Sequence, residues 1–192
     1  GNITAIGQDM DISYSKRRAL EATEEIYIGI AEYKTSAYSV YGPMQIGALI
    51  AGLEKEELDM LKQIGRYAGI AFQINDDIKD CGGKVLGKEK YEDIRQGKAT
   101  LMIINSYKNA NQEEKNMLEA IYSTSPEEKS QNDISYVREI IEKTDSVEYA
   151  RTVRKKYENK AVNAFMKGID MIPKNRYSEA LMAVISSLYK ED

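Results

Sequence analysis

Apolar positions recur every three to four residues along most of the chain. No stretch alternates with the period of two that a half-buried strand needs. Helices are therefore expected almost throughout. Thr23 is placed to cap a helix whose first turn carries Glu24 and Glu25, acidic residues that suit a helix N-terminus. It should run to about Tyr41 and end at Gly42-Pro43. A short helix is predicted over 44–51 and a long one over 55–80, closed by Cys81-Gly82-Gly83. Residues 84–97 read as a polar loop, and another helix starts near Thr100. Asn111 with Glu114 has the form of a capping box. So has Ser125 with Glu128, where Pro126 would fill the first helical position. Helices then cover about 133–143, 146–170 and 176–190. No repeat, low-complexity tract or linker interrupts the pattern, so 1–192 is expected as one all-α domain, an antiparallel helix bundle.

Composition removes several chemistries. The 192 residues are 42% hydrophobic and 30% charged, the balance of a globular chain. There is no histidine, which excludes imidazole bases, Ser-His pairs and His metal sites. A lone Cys81 excludes an internal disulfide and a Cys-rich zinc site. Lysine and arginine number 27 against 31 acidic residues, so no basic nucleic-acid surface is expected. No segment approaches the ~20 apolar residues of a membrane span. The charged start, with Asp9, Asp11 and Lys16-Arg17-Arg18, has no secretory pattern, and the cytoplasm is the expected compartment.

The chemistry concentrates in Ala71–Asp80, sequence AFQINDDIKD. At about 100° per residue, Gln73, Asp76, Asp77 and Asp80 share an arc of roughly 100°, and apolar residues fill most of the opposite side. Carboxylates one turn apart repel each other and call for a cation. Mg²⁺ suits such oxygens and is held by one or two carboxylates plus substrate phosphates. A solvated acidic face on an amphipathic helix is the plain alternative. Two features favour the cation. The loop from Leu86 to Leu101 brings Lys88 and Lys98 beside glycines, and Lys34-Thr35 sets an ammonium next to a hydroxyl. Diphosphate needs such cations as well as metal.

These residues resemble the trans-type isoprenyl diphosphate synthases. Ala71–Asp80 is similar to that family's second aspartate-rich motif, FQ-x-x-DD-x-x-D. The loop resembles its GK…D…GK-x-T signature, Gly7-Gln8 with Asp11 its GQ-x-x-D element, and Lys34-Thr35 its KT pair. Gly47-Ala48 with Ala51-Gly52 matches its small-residue helix. The likeness covers most of residues 7–105, in the family's order. Leu101-Met102 stands where many members have Leu-Pro, and Lys79 where an apolar residue is common.

The resemblance implies a helix bundle of the isoprenoid synthase type. It implies a Mg²⁺-dependent prenyltransferase that condenses isopentenyl diphosphate with an allylic diphosphate, giving a product such as farnesyl or geranylgeranyl diphosphate. It assigns Asp76, Asp77 and Asp80 to the metal, directly or through water. It assigns Lys34, Lys88 and Lys98 to the diphosphates, Gln73 and Thr35 to the developing cation, and Gln8, Asp11 and Phe72 to the substrate cavity. A homodimer is expected. The family's first DDxxD motif precedes the GQ element and has no counterpart here. The chain is therefore expected to be weak or inactive alone. Its opening Gly1-Asn2 suits the C-terminal part of a longer synthase. A short non-catalytic or regulatory subunit of a heteromeric synthase is the alternative, and an unrelated helical interaction domain a third.

Overall fold

The structure is a computed structural model and describes residues 2–82 and 91–168, with 176, 179–181 and 183. Among these, every regular element is helical. In chain order they are α1 (Asn2–Ser13), a 3-10 turn (Lys16–Glu21), α2 (Glu24–Ile30), a π-helical stretch (Ala31–Tyr41) and α3 (Gly42–Ile50). Then come α4 (Lys55–Gly82), α5 (Glu92–Gln96), α6 (Leu101–Asn109), α7 (Gln112–Ser123), α8 (Gln131–Lys143) and α9 (Ser146–Gly168). The fold is all-α, as expected.

Most predicted caps form. Thr23 Oγ1 accepts the Ile26 N–H at 3.3 Å, and Thr100 caps α6 by accepting from Ile103. Asn111 and Glu114 make a reciprocal capping box. Three expectations are corrected. Gly42-Pro43 does not end the helix. The Gly42 N–H donates to the Ala37 carbonyl five residues back, and a Cβ at 42 would lie 2.4 Å from that oxygen. Glycine is what lets the wide turn close, and Pro43 then sits in the first turn of α3, where no N–H is needed. The actual stop is Gly52, at φ +79. Ser125 opens only a turn, its hydroxyl donating to Glu128 at 2.7 Å. No apolar face follows it. Ser130, which boxes with Asp133, precedes buried Ile134, Val137, Ile140 and Ile141, and α8 starts there. The polar loop contains α5, which buried Ile94 anchors. Most of the helix expected over 176–190 lies outside the described residues.

The chain forms two compact units. The first comprises residues 1–7, 30–75 and those from 153 onward; the second comprises 8–29 and 76–152. The core of the first gathers Val40, Ile64, Ala68, Ala161, Ala164 and Phe165. Gly65 and Gly69, one turn apart on α4, let it touch the π-helical backbone. A Cβ at Gly65 would lie 2.9 Å from Tyr41 Cα, and one at Gly69 2.6 Å from Ser36 Cα. Gly47, singled out above, has nothing comparable near it. Ser36, fully buried between these helices, donates to the carbonyls of Ala31 and Arg66. The second unit buries Leu101, Leu118, Tyr122, Ile134 and Val137 from α6, α7 and α8.

Gly69→Ala tests the close approach. Mid-helix Gly→Ala ordinarily gains up to ~1 kcal/mol. Here we expect a loss on the order of 1–3 kcal/mol, read as a lower denaturation midpoint at unchanged slope.

Candidate functional site

In the second unit, α4 ends in its acidic turn. Asp77 and Asp80 are buried and Asp76 is half-buried. Buried Tyr27 of α2 donates its hydroxyl to Asp77 Oδ2 at 2.8 Å. Burial first, and then the charges of Asp77, Asp93 and Asp76, hold the Tyr27 phenol far above its ordinary pKa. It therefore stays a donor. Asp80 Oδ2 accepts the backbone N–H of Asp93 at 3.1 Å, and the Asp93 carboxylate pairs with Lys98. Burial and the neighbouring Asp93 charge push the Asp80 carboxyl up, against backbone donors at 92 and 93 and the Lys98 ammonium. Burial works against the Lys98 charge, but Asp93, Asp77 and Asp11 outweigh it and raise its pKa.

Glycine delivers Lys98 to this place. Gly97, at φ +70, ends α5 in the left-handed conformation. Lys98 N–H then returns to the Asp93 carbonyl at 2.9 Å, and Lys16 N–H meets the Gly97 carbonyl at 2.7 Å. A Cβ at Gly97 would crowd Lys16 Cα at 3.1 Å and Lys129 Nζ at 3.2 Å. The threonine of the GK-x-T signature, Thr100, serves as the α6 cap. Met102 falls in the first turn of α6, where proline and methionine are both tolerated.

In the first unit, Thr35 Oγ1 donates to Gln73 Oε1 at 2.5 Å, joining two residues 38 positions apart. Gly7 explains the glycine of the GQ element. A Cβ there would lie 2.3 Å from the Lys34 nitrogen, so α1 rests directly on the backbone that carries Lys34. A polar cluster escaped the sequence reading: Arg154 Nη1 donates to buried Asn75 at 2.7 Å, while its Nε pairs with buried Glu158 at 3.0 Å. The i,i+4 spacing of Arg154 and Glu158 was its available signal. A cavity of about 460 Å³ opens beside Ile3, Ala37 and Tyr41.

The other expected residues are placed as follows. Gln8 is exposed on α1, Asp11 is half-buried there, and Phe72 is half-buried on α4. Lys88 lies outside the described residues. Among those described, no three carboxylates converge as a ready-made metal cage. Mg²⁺ needs only one or two carboxylates when phosphate supplies other ligands. The hard oxygens of Asp76, Asp77 and Asp80, whose field raises the pKa of nearby groups, fit that cation. No helix of the described residues is long and apolar enough to cross a membrane.

Comparison with known proteins gives the family. The family model described as polyprenyl synthetase matches residues 2–141. A geranylgeranyl diphosphate synthase of Saccharolobus solfataricus is 36% identical over 162 residues, 83% of this chain and 47% of that protein. A short chain isoprenyl diphosphate synthase of Methanothermobacter thermautotrophicus is 33% identical over 149 residues, 77% of this chain and 44% of that protein. The chain thus spans about half the length of these relatives. A Caulobacter crescentus polyprenyl synthase, solved in complex with calcium and isoprenyl diphosphate, superposes with a TM-score of 0.84 at 26% identity, covering 100% of this chain and 56% of that one.

The raised Asp80 pKa gives a test with a defined sign. A carboxyl that binds its proton more tightly when folded favours the folded state below the ordinary value near 4, and that advantage disappears as pH rises through the raised value. In metal-free buffer, Asp80→Asn should melt higher than wild type at pH 7, by on the order of 2 °C, with the difference closing near pH 4. A lower melting temperature at pH 7 contradicts the account.

Proposed function

The chain belongs to the polyprenyl synthetase family, and from that premise we propose that it is the C-terminal part of a trans-type isoprenyl diphosphate synthase. The complete enzyme would condense isopentenyl diphosphate with an allylic diphosphate into a short-chain product such as farnesyl or geranylgeranyl diphosphate. The observation that carries this reading is the Asp80–Asp93–Lys98 linkage next to Asp76 and Asp77, carboxylates and an ammonium held together at a helix end. The calcium and isoprenyl diphosphate bound by the Caulobacter relative are ligands of the two kinds such a site would take.

Asp76, with Asp77 and Asp80, would hold Mg²⁺, which when bound neutralises diphosphate and stabilises the leaving group's charge. Tyr27 fixes one oxygen of Asp77 by donating its hydroxyl to it. Lys98 is kept charged by its carboxylate neighbours and binds diphosphate oxygens, as does Lys34. The Thr35 proton is committed to Gln73 Oε1, so the hydroxyl oxygen keeps its lone pairs for a developing allylic cation.

Calorimetry with inorganic pyrophosphate tests the site in this chain. Binding should require Mg²⁺ and be lost in Asp76→Ala. In a form that turns over, the same substitution should lower turnover by roughly 10²-fold or more. Mg²⁺-independent binding, or an Asp76→Ala enzyme with near-normal turnover, overturns the proposal.

A further inference from the structure

Lys129 is 3% exposed, and no role has yet been given to it. It precedes α8, yet its ammonium reaches back to the end of α5. There Nζ donates to the carbonyl of Arg95 at 2.7 Å and to that of Ile94 at 3.2 Å. Arg95 answers by donating through Nη1 to the Lys129 carbonyl at 3.3 Å. The Ile94 carbonyl also accepts the Gly97 N–H at 3.1 Å. Lys129 therefore shares an acceptor with the residue that turns the chain into Lys98.

Such a cation is expensive to bury. Its surroundings are adverse as well. Burial, then the charges of Lys16 and Arg95, lower its pKa to about 8, with only Asp133 acting in the opposite direction. The Tyr122 ring lies beneath Nζ at 5.2 Å. An apolar side chain of the same length would fill the space at less cost. What it lacks is two directed donors for the last carbonyls of a five-residue helix, where acceptors outnumber the helix's own donors.

We propose that Lys129 is a positioning residue for Lys98. By tying down the carbonyls of Ile94 and Arg95, it holds the Gly97 turn in the one conformation that returns Lys98 to Asp93. This rests on the reading of Lys98 as a diphosphate ligand. The α5 helix is too short to hold itself, and Gly97 is the residue most free to leave its left-handed conformation. Without the tie, Lys98 would be presented from a mobile turn, and diphosphate affinity would fall although no ligand contact had been removed.

The test uses the full chain, with inorganic pyrophosphate and Mg²⁺ as probe, and compares Lys129→Met with Lys98→Ala. Lys129→Met should weaken binding about tenfold. It should also speed hydrogen exchange at the Gly97 and Lys98 amides by a similar factor, while amides in the middle of α4 keep their protection. If Lys129→Met does not fold, Lys129→Gln, whose shorter side chain cannot span both carbonyls, replaces it with the same two readouts. Loss of binding in Lys98→Ala with unchanged affinity and exchange at position 129 overturns the role of Lys129 alone. Unchanged binding in Lys98→Ala instead removes the reading of Lys98, and this inference with it.

Discussion

Charge held at partial burial is the constraint on which the second unit depends. Asp76, Asp77 and Asp80 follow one another within about a turn of α4, and Asp93 is brought against them. Unscreened carboxylates at this spacing would drive the helix end apart. The chain answers with donors of graded strength. Tyr27 gives Asp77 a neutral hydrogen bond, the Asp93 backbone gives Asp80 another, and Lys98 supplies a full charge. The offset is incomplete, as the upward displacement of Asp80 shows.

The first unit solves a different problem. Thr35 and Gln73 come from separate helices, and a direct bond between two such short polar groups requires their backbones to be close. Glycines on the two elements flanking the π-helical stretch make that possible: Gly7 of α1 at Lys34, and Gly69 and Gly65 of α4 at Ser36 and Tyr41. The wide π turn re-aims successive side chains, so that Thr35 and Ser36 are both buried while Lys34 remains partly accessible. Backbone contact, rather than bulky packing, therefore sets the position of the Thr35 hydroxyl.

Much of this was legible because local rules decide it. Helix existence followed from apolar spacing, and the Thr23 and Asn111 ends from capping chemistry. The acidic run of α4 was legible for the same reason, since 3.6-residue periodicity alone gathers its carboxylates. Features set by tertiary contact were not. Nothing local tells that Gly42 serves a wide turn while Gly52 ends the helix. The Tyr27–Asp77 bond joins residues 50 apart and the Lys129 tie spans 35, distances over which no periodicity speaks. Gly65 and Gly69 were equally silent, because a glycine inside a helical pattern reads as a cost until its neighbour is known.

Lys98 and Lys129 show how far environment decides what a lysine is. Both meet the same glycine, Lys98 next to Gly97 in sequence and Lys129 against it in space. Carboxylates surround the first and raise its pKa; burial and two cations lower that of the second to about 8. A lysine held charged beside acids is suited to meet an anion that displaces one of them. A lysine stripped of countercharge and aimed at carbonyls is suited to hold backbone. On the proposed reading, the division lets a short, weak helix present a ligand-binding residue: the charge that would meet the ligand and the donor that would keep the turn in shape are carried by different side chains, so occupying one would not release the other.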